Sequence, residues 1–300
     1  MTQILNPSHE FIATNGIRVH CAIQGEGPVM IFLHGFPEFW YCWRHQIPAF
    51  AGSFRVVAPD TRGYNLSDKP EGVEAYGMKV LVEDIRGLIE ALEEEKVFLV
   101  AHDWGGAVAW AFAEKYPHML HKLIILNAPH HMIFARELKN NALQQKASEY
   151  MLLLQSSRAE EVLSRDGYAW FRQAVFNGCK DPSAYTVEDK AAYVDAWSRP
   201  GALTGSVNYY RAAGIPKAPK EKGMERGKTN GVIRVPTLVI WGEEDVALTL
   251  SLLDGLDDYV PDLKVIRIPG ATHWVQNDVP DLVNRTIWAF VAQNLSKKAP

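Results

Sequence analysis

Residues 97–114, VFLVAHDWGGAVAWAFAE, read as a strand, a sharp turn and a helix. The run Val97 to His102 is aliphatic on both of its faces, as strands of a covered parallel sheet are. Asp103 stands at the turn with small residues two before and two after it, Ala101 and Gly105. That is the pattern of a nucleophile elbow, a bend so tight that only small neighbours avoid a clash. The usual elbow presents serine, which needs a base before it can attack. A carboxyl with an ordinary pKa of about 4 is already ionised at neutral pH and attacks unaided. A carboxylate nucleophile suits displacement at a saturated carbon and leaves an alkyl ester that must then be hydrolysed. Taken alone, the same residues also describe an aspartate capping a helix, so the rest of the chain has to decide.

Working outward, Val19 to Gln24 and Val29 to His34 flank the turn Gly25-Glu26-Gly27-Pro28 and read as an antiparallel pair. Phe54 to Pro59, Leu123 to Ala128, Pro236 to Gly242 and Leu263 to Ile268 repeat the buried-strand pattern of Val97 to His102. Helical patterns lie between them, as in Leu81, Ile85, Leu88 and Leu92, which share one helix face. Alternating strands and helices predict an α/β fold, a mostly parallel sheet with helices on both faces. The alternation stops near Pro129. From about His131 to Ala213 only helical patterns occur, with many aromatics, so this block reads as an insertion. Gly214 to Gly231, rich in Gly, Pro and Lys, reads as a linker back to the sheet.

Three further segments carry chemistry. His34-Gly35-Phe36-Pro37-Glu38 follows a strand at the place where such folds supply one backbone N–H of an oxyanion hole, the other coming from the residue after the nucleophile. The donors are then Phe36 and Trp104. Asp245, in Trp241-Gly242-Glu243-Glu244-Asp245, and His273, in Gly270-Ala271-Thr272-His273-Trp274, each stand just past a strand. Ligands of open α/β sheets bind at those strand ends. The order Asp103, Asp245, His273 is the nucleophile, acid, base order of α/β-hydrolases. His273 is expected to be the general base for water, held in one tautomer by Asp245.

The segment HGFPEFWYCWRHQIP at 34–48, Asp60-Thr61-Arg62-Gly63-Tyr64, the elbow at 101–106, Asn208-Tyr209-Tyr210-Arg211 and the Asp245 and His273 segments together resemble an α/β-hydrolase epoxide hydrolase. The resemblance runs over nearly the whole chain. It implies an α/β-hydrolase core over 1–130 and 215–300, with the insertion 131–214 as a helical cap. It also implies two cap tyrosines that hydrogen-bond the epoxide oxygen. Tyr210 matches one through the Asn-aromatic-Tyr-Arg pattern, and Tyr150 matches the other through Glu149-Tyr150-Met151-Leu152-Leu153-Leu154-Gln155. Tyr209 is left to packing. Dehalogenases share the aspartate nucleophile and are the alternative, acting on a haloalkane or haloacid. Haloalkane dehalogenases often carry a halide-binding Asn where this chain has Phe36. Fluoroacetate dehalogenases carry arginines at the positions of Trp104 and Ala107. Asn127 offers no carboxylate to replace Asp245.

Composition narrows the classes further. Hydrophobic residues at 47% and charged residues at 22% are ordinary for a globular chain. Thirty-one Lys and Arg against 35 Asp and Glu leave a net charge of −4, with no basic surplus for nucleic acid or an anionic membrane. Cys21, Cys42 and Cys179 are odd in number and far apart, which argues against a disulfide framework or a zinc ribbon. Gly25-Glu26-Gly27 lacks the third glycine of a dinucleotide fingerprint. His130 and His131, adjacent in an extended segment, are expected to point apart and so to be poorly placed to share a metal. No cofactor, metal, signal peptide or membrane span is expected, and a cytoplasmic setting is the default. The expected partner is a small apolar electrophilic substrate, with the oligomeric state left open. A sensor that binds such a ligand without turnover is the reading from another class.

Overall fold

The computed structural model describes residues 4–214 and 231–295. Asn15 and Gly16 both take positive φ, 43° and 77°, the combination that a two-residue hairpin turn matched to strand twist requires. They join β1 (Ser8–Thr14) to β2 (Ile17–Gln24), with Thr14 opposite Ile17. This overturns the pairing expected around Gly25 to Pro28. The strand after that turn, β3 (Val29–Leu33), does not touch β2. Instead β4 (Arg55–Pro59) lies between them, antiparallel to β2 and parallel to β3. Burial supplies the reason. All five residues of β3 are buried, which demands a strand on either side, whereas β1 is mostly exposed and can only be an edge.

The remaining strands are β5 (Val97–His102), β6 (Leu120–Leu126), β7 (Thr237–Gly242) and β8 (Leu263–Ile268). The eight strands run in the order β1-β2-β4-β3-β5-β6-β7-β8, parallel from β4 to β8. Successive side chains of a strand face opposite ways. Accordingly Ile31, Leu33, Leu99 and Ala101 join one core with the helices Met78–Ala91 and Asp103–Lys115. Met30, Phe32, Phe98 and Val100 join another with the helix Pro280–Leu295. Leu81, Ile85 and Leu88 are buried as their spacing predicts.

Between β6 and β7 the chain forms the helices His131–Asn140, Ala142–Ala147, Tyr150–Gln155, Ala159–Val175, Val187–Ser198 and Ala202–Ala213. Thr186 and Asp189 close a reciprocal capping box at the start of Val187–Ser198. Ala159–Val175 is broken at Arg165 to Tyr168, where three successive residues take positive φ. These helices enclose an aromatic cluster that includes Phe171, Phe176, Tyr193 and Trp197 and packs on Phe36 and Phe39 of the sheet side. Of the expected linker, residues 215–230 lie outside the described residues. Among the described residues no helix is long and apolar enough to cross a membrane. The three cysteines are free and buried.

Candidate active site

The elbow forms because β5 ends against β3 and the helix Asp103–Lys115 starts with no intervening loop. Asp103 is bent into the left-handed region, φ 49°, a conformation that costs a residue with a β-carbon of order 1 kcal/mol or more. Gly105 makes the bend possible. A β-carbon there would lie 2.5 Å from the carbonyl oxygens of both Leu33 and His34. Gly35 has a parallel role, since its β-carbon would lie 2.3 Å from Asp103 Oδ1.

That glycine brings the loop after β3 against the carboxylate. The Phe36 backbone N–H donates to Asp103 Oδ1 at 2.7 Å, and the Trp104 backbone N–H also bonds the carboxylate. The Phe36-Pro37 peptide is cis. His34 braces the loop from below, with Nδ1 2.9 Å from the Gly35 carbonyl and Nε2 accepting the Thr61 N–H at 3.0 Å.

On the other side of the carboxylate, His273 Nε2 lies 3.5 Å from Asp103 Oδ2. Its Nδ1 meets Asp245 Oδ2 at 2.6 Å. The other oxygen of Asp245 accepts the Ala247 and Leu248 N–H groups at 2.8 and 2.9 Å. Asp103, His273 and Asp245 are thus brought together in one chain of contacts. Burial opposes the charge on Asp103, but the His273 ring, His102 and the Trp104 N–H outweigh it and hold the carboxyl below its usual range. Burial likewise opposes a charged His273, yet the two carboxylates that flank it raise it well above an ordinary histidine. The His273 ring thus lies between two carboxylates, which favour its charged form over the neutral one.

Across from this group stand the two tyrosines. Burial first, and then the Asp103 charge, push Tyr150 far above an ordinary phenol, so it stays protonated; its hydroxyl bonds that of Tyr210. Tyr210 is raised in the same way, by burial first and also by the Asp103 charge, and its hydroxyl bonds the Trp104 side chain. Rings of Phe36, Trp104 and Tyr150 surround Tyr210 at 5.1, 5.1 and 6.2 Å. Tyr209 turns away, its hydroxyl donating to the Arg62 carbonyl at 2.8 Å. The arrangement offers an anion to attack, a base chain behind it, two backbone donors on the carboxylate and two protonated phenols opposite.

Two sets of supporting residues escape a reading of the sequence. Asn127, noted there only for lacking a carboxylate, donates from Nδ2 to Asp245 Oδ2 at 2.8 Å while its Oδ1 accepts the Gly242 N–H. It therefore holds the acid and its strand end together. His102 sits fully buried behind the elbow, with Nε2 2.8 Å from the His273 carbonyl and Nδ1 3.3 Å from Glu38 Oε2. The signal for both is a polar residue inside or at the end of an otherwise apolar strand, which must find a partner when buried.

The expected divergence of His130 and His131 does not hold. His130 caps the helix that begins at His131, so the segment is not extended, and the two rings lie 4.5 Å apart. His130 stacks on Tyr259 and meets the Gly231 carbonyl. Among the described residues no group of three His, Cys, Asp or Glu side chains could hold a metal ion.

Residues 28–278 match the family described as alpha/beta hydrolase fold. The chain is 39% identical over 287 residues to AB hydrolase superfamily protein YfhM of Bacillus subtilis, covering 94% of this chain and 97% of that one. It is 37% identical over 296 residues to Epoxide hydrolase 2 of Caenorhabditis elegans, covering 96% of this chain and 81% of the relative. Among solved structures, the Bacillus megaterium epoxide hydrolase in complex with an inhibitor superimposes with a TM-score of 0.88 at 39% identity, over 94% of this chain and 100% of that one. A mutant of an epoxide hydrolase from the same organism, complexed with its product (R)-3-[1]naphthyloxy-propane-1,2-diol, gives the same values.

The tightness of the elbow is open to a stability measurement. Gly105→Ala sets a methyl against two backbone carbonyls that cannot swing aside, and is expected to destabilise by about 1–3 kcal/mol or more. A urea midpoint equal to the parent's would show that β3 does not press on the elbow as described.

Proposed function

Because the chain belongs to the α/β-hydrolase fold family and, within it, to the epoxide hydrolases, we infer that it hydrolyses an epoxide to a vicinal diol through an alkyl ester on Asp103. The observation that carries the ester is the Asp103 carboxylate at the elbow, held by the Phe36 N–H and His273 and kept below its usual range, with the phenols of Tyr150 and Tyr210 raised above theirs beside it. An epoxide opens to an alkoxide, a strongly basic leaving group that benefits from a proton, and a phenol can give one without being charged beforehand. A halide leaves as a stable anion and has no use for the pair. The cap is the block 131–214 over a core of 1–130 and 215–300.

In the first step Asp103 Oδ2, the oxygen not held by the Phe36 N–H, attacks one ring carbon while Tyr150 and Tyr210 donate to the epoxide oxygen. The carbon–oxygen bond of the ring breaks and the oxygen takes up a proton. Ester formation removes the Asp103 charge, and with it one of the two carboxylates that raise His273. The imidazole becomes easier to deprotonate at the moment a base is needed. His273, oriented by Asp245, then takes a proton from water as the water attacks the ester carbonyl. Negative charge gathers on the oxygen facing the Phe36 and Trp104 N–H groups. Collapse breaks the bond between the ester carbonyl and the alkyl oxygen, which takes the proton held by His273. The new Asp103 carboxyl gives its proton to the tyrosine pair, the diol leaves and the carboxylate is restored.

The walls around this group are rings, with Trp170 and Phe171 beside Phe36, which suits a small apolar epoxide. An aryl-bearing one is consistent with the naphthyloxy diol held by the Bacillus megaterium enzyme. The chemistry requires no cofactor or metal. Free buried cysteines fit a reducing cytoplasm.

The decisive experiment is one turnover in oxygen-18 water. The label is expected in Asp103 and not in the diol, and the His273→Gln variant is expected to gain the mass of one substrate and keep it. Label in the diol after a single turnover would exclude the ester.

The tyrosines are tested by their effect on the first step. Tyr210→Phe is expected to slow ester formation by about 10² to 10⁴, less where Tyr150 compensates, and the double Phe variant to come close to abolishing it. Parental ester formation in the double variant would remove the phenols from the mechanism.

A pH dependence follows from the same charges. His273 is raised by Asp245 and by Asp103 in the resting enzyme, but by Asp245 alone in the ester. Ester breakdown needs the neutral ring and fails as pH falls through the pKa in the ester. Its acid limb should therefore lie at lower pH than the His273 titration followed by NMR in the resting enzyme. An acid limb at the same or higher pH would show that the Asp103 charge does not govern the base.

A further inference from the structure

The loop that carries the Phe36 N–H is gripped from the cap by one face of one helix. Asp189, Tyr193 and Trp197 stand four residues apart on Val187–Ser198 and so share a face. Each makes a polar contact to the same stretch of loop. Trp197 Nε1 donates to the Pro37 carbonyl at 2.7 Å, and the Tyr193 hydroxyl donates to Glu38 Oε1 at 2.9 Å. Asp189 Oδ1 accepts the Tyr41 hydroxyl at 2.9 Å and lies 3.3 Å from Arg44 Nε. All three helix residues are buried. A buried polar group left unmatched costs about 1–3 kcal/mol, so these contacts fix where the helix face meets the loop. From the sheet side Glu38 also accepts the Gln276 side-chain N–H at 3.0 Å, three residues beyond His273. The loop is therefore clamped between the cap helix and the segment that follows the base.

We propose that this helix face positions the oxyanion donor: Trp197 and Tyr193, through Pro37 and Glu38, hold the Phe36 N–H on Asp103 Oδ1. The proposal rests on the aspartyl-ester reading. It assigns the two residues to one half of the reaction. Ester formation disperses the charge on Oδ1, so a firm N–H there gives that step no advantage. Ester breakdown builds charge on Oδ1, and its rate depends on the donor being in place. A loosened loop slows breakdown and leaves formation nearly unchanged.

The test is Trp197→Phe, which keeps a ring among Phe171, Phe176 and Tyr193 and removes only the indole and its N–H. With phenyl glycidyl ether as probe, rapid quenching and intact-protein mass give the rates of ester formation and breakdown separately. Breakdown is expected to slow by about 10-fold, less than the loss of a whole oxyanion donor because the N–H is displaced and not deleted. Formation is expected to change by less than about 2-fold on the same argument, so that esterified enzyme accumulates at steady state. Breakdown at the parental rate overturns the proposal, and so does an equal slowing of both steps, which is what a purely structural role predicts. If Trp197→Phe does not fold, Tyr193→Phe, which loses only the hydroxyl on Glu38, is judged by the same ratio. A parent that forms no ester overturns the aspartyl-ester reading and this proposal with it, whereas a parent that forms one and a variant that breaks it down normally overturns this proposal alone.

Discussion

An ionised carboxylate taken out of water loses its hydration at a cost of several kcal/mol unless donors and opposite charge replace it. Asp103 is such a group, with 13% of its side chain exposed. Its replacement shell comes from separate parts of the chain. The Phe36 N–H arrives on the loop after β3, the Trp104 N–H on the first turn of a helix, and the His273 ring on the loop after β8. None of these is available unless β3, β5 and β8 run the same way and end on the same side. The parallel sheet is therefore the condition under which this carboxylate can be buried and charged at once. Gly35 and Gly105 bear close contacts of that arrangement, and a single methyl at either would separate the parts.

The same charge has a second use. A ring flanked by two carboxylates holds its proton more firmly than a ring flanked by one. Alkylation converts the first situation into the second. In the mechanism proposed above, loss of the Asp103 charge on ester formation therefore loosens the His273 proton before water is activated. Asn127 and the Ala247 and Leu248 N–H groups matter in this light. By filling the lone pairs of Asp245 they keep one carboxylate constant while the other comes and goes.

Legibility in the sequence followed the range of the interactions. The elbow could be read because its requirements are local: small residues two positions to either side of Asp103, a buried strand before and a helix after. The triad could be read because each member stands just past a strand with its own apolar signature. The strand pairing near the N-terminus could not. A short turn between two apolar runs normally makes a hairpin, and nothing in residues 19–34 announces that β4, some twenty residues later, will come between β2 and β3. β1 is illegible for a related reason, since an exposed edge strand carries little apolar alternation. The contacts of Asn127, His102 and Glu38 span from about 64 to 239 residues of sequence, and no local pattern records a partner at that distance.

The cap joins two kinds of surface that the sequence presents as one aromatic-rich block. Around Tyr150, Tyr210, Trp170 and Phe36 the rings pack on one another, and the hydroxyls of Tyr150 and Tyr210 bond each other. At the seam with the sheet, Tyr193 and Trp197 are just as aromatic but spend their O–H and N–H on the loop beneath. An apolar pocket alone would exclude water without aligning anything, and a polar seam alone would align the loop without accommodating an apolar substrate. Both surfaces lie on helices of one insertion, so in the mechanism proposed above the element that covers the substrate is also the one that holds the loop carrying the Phe36 N–H.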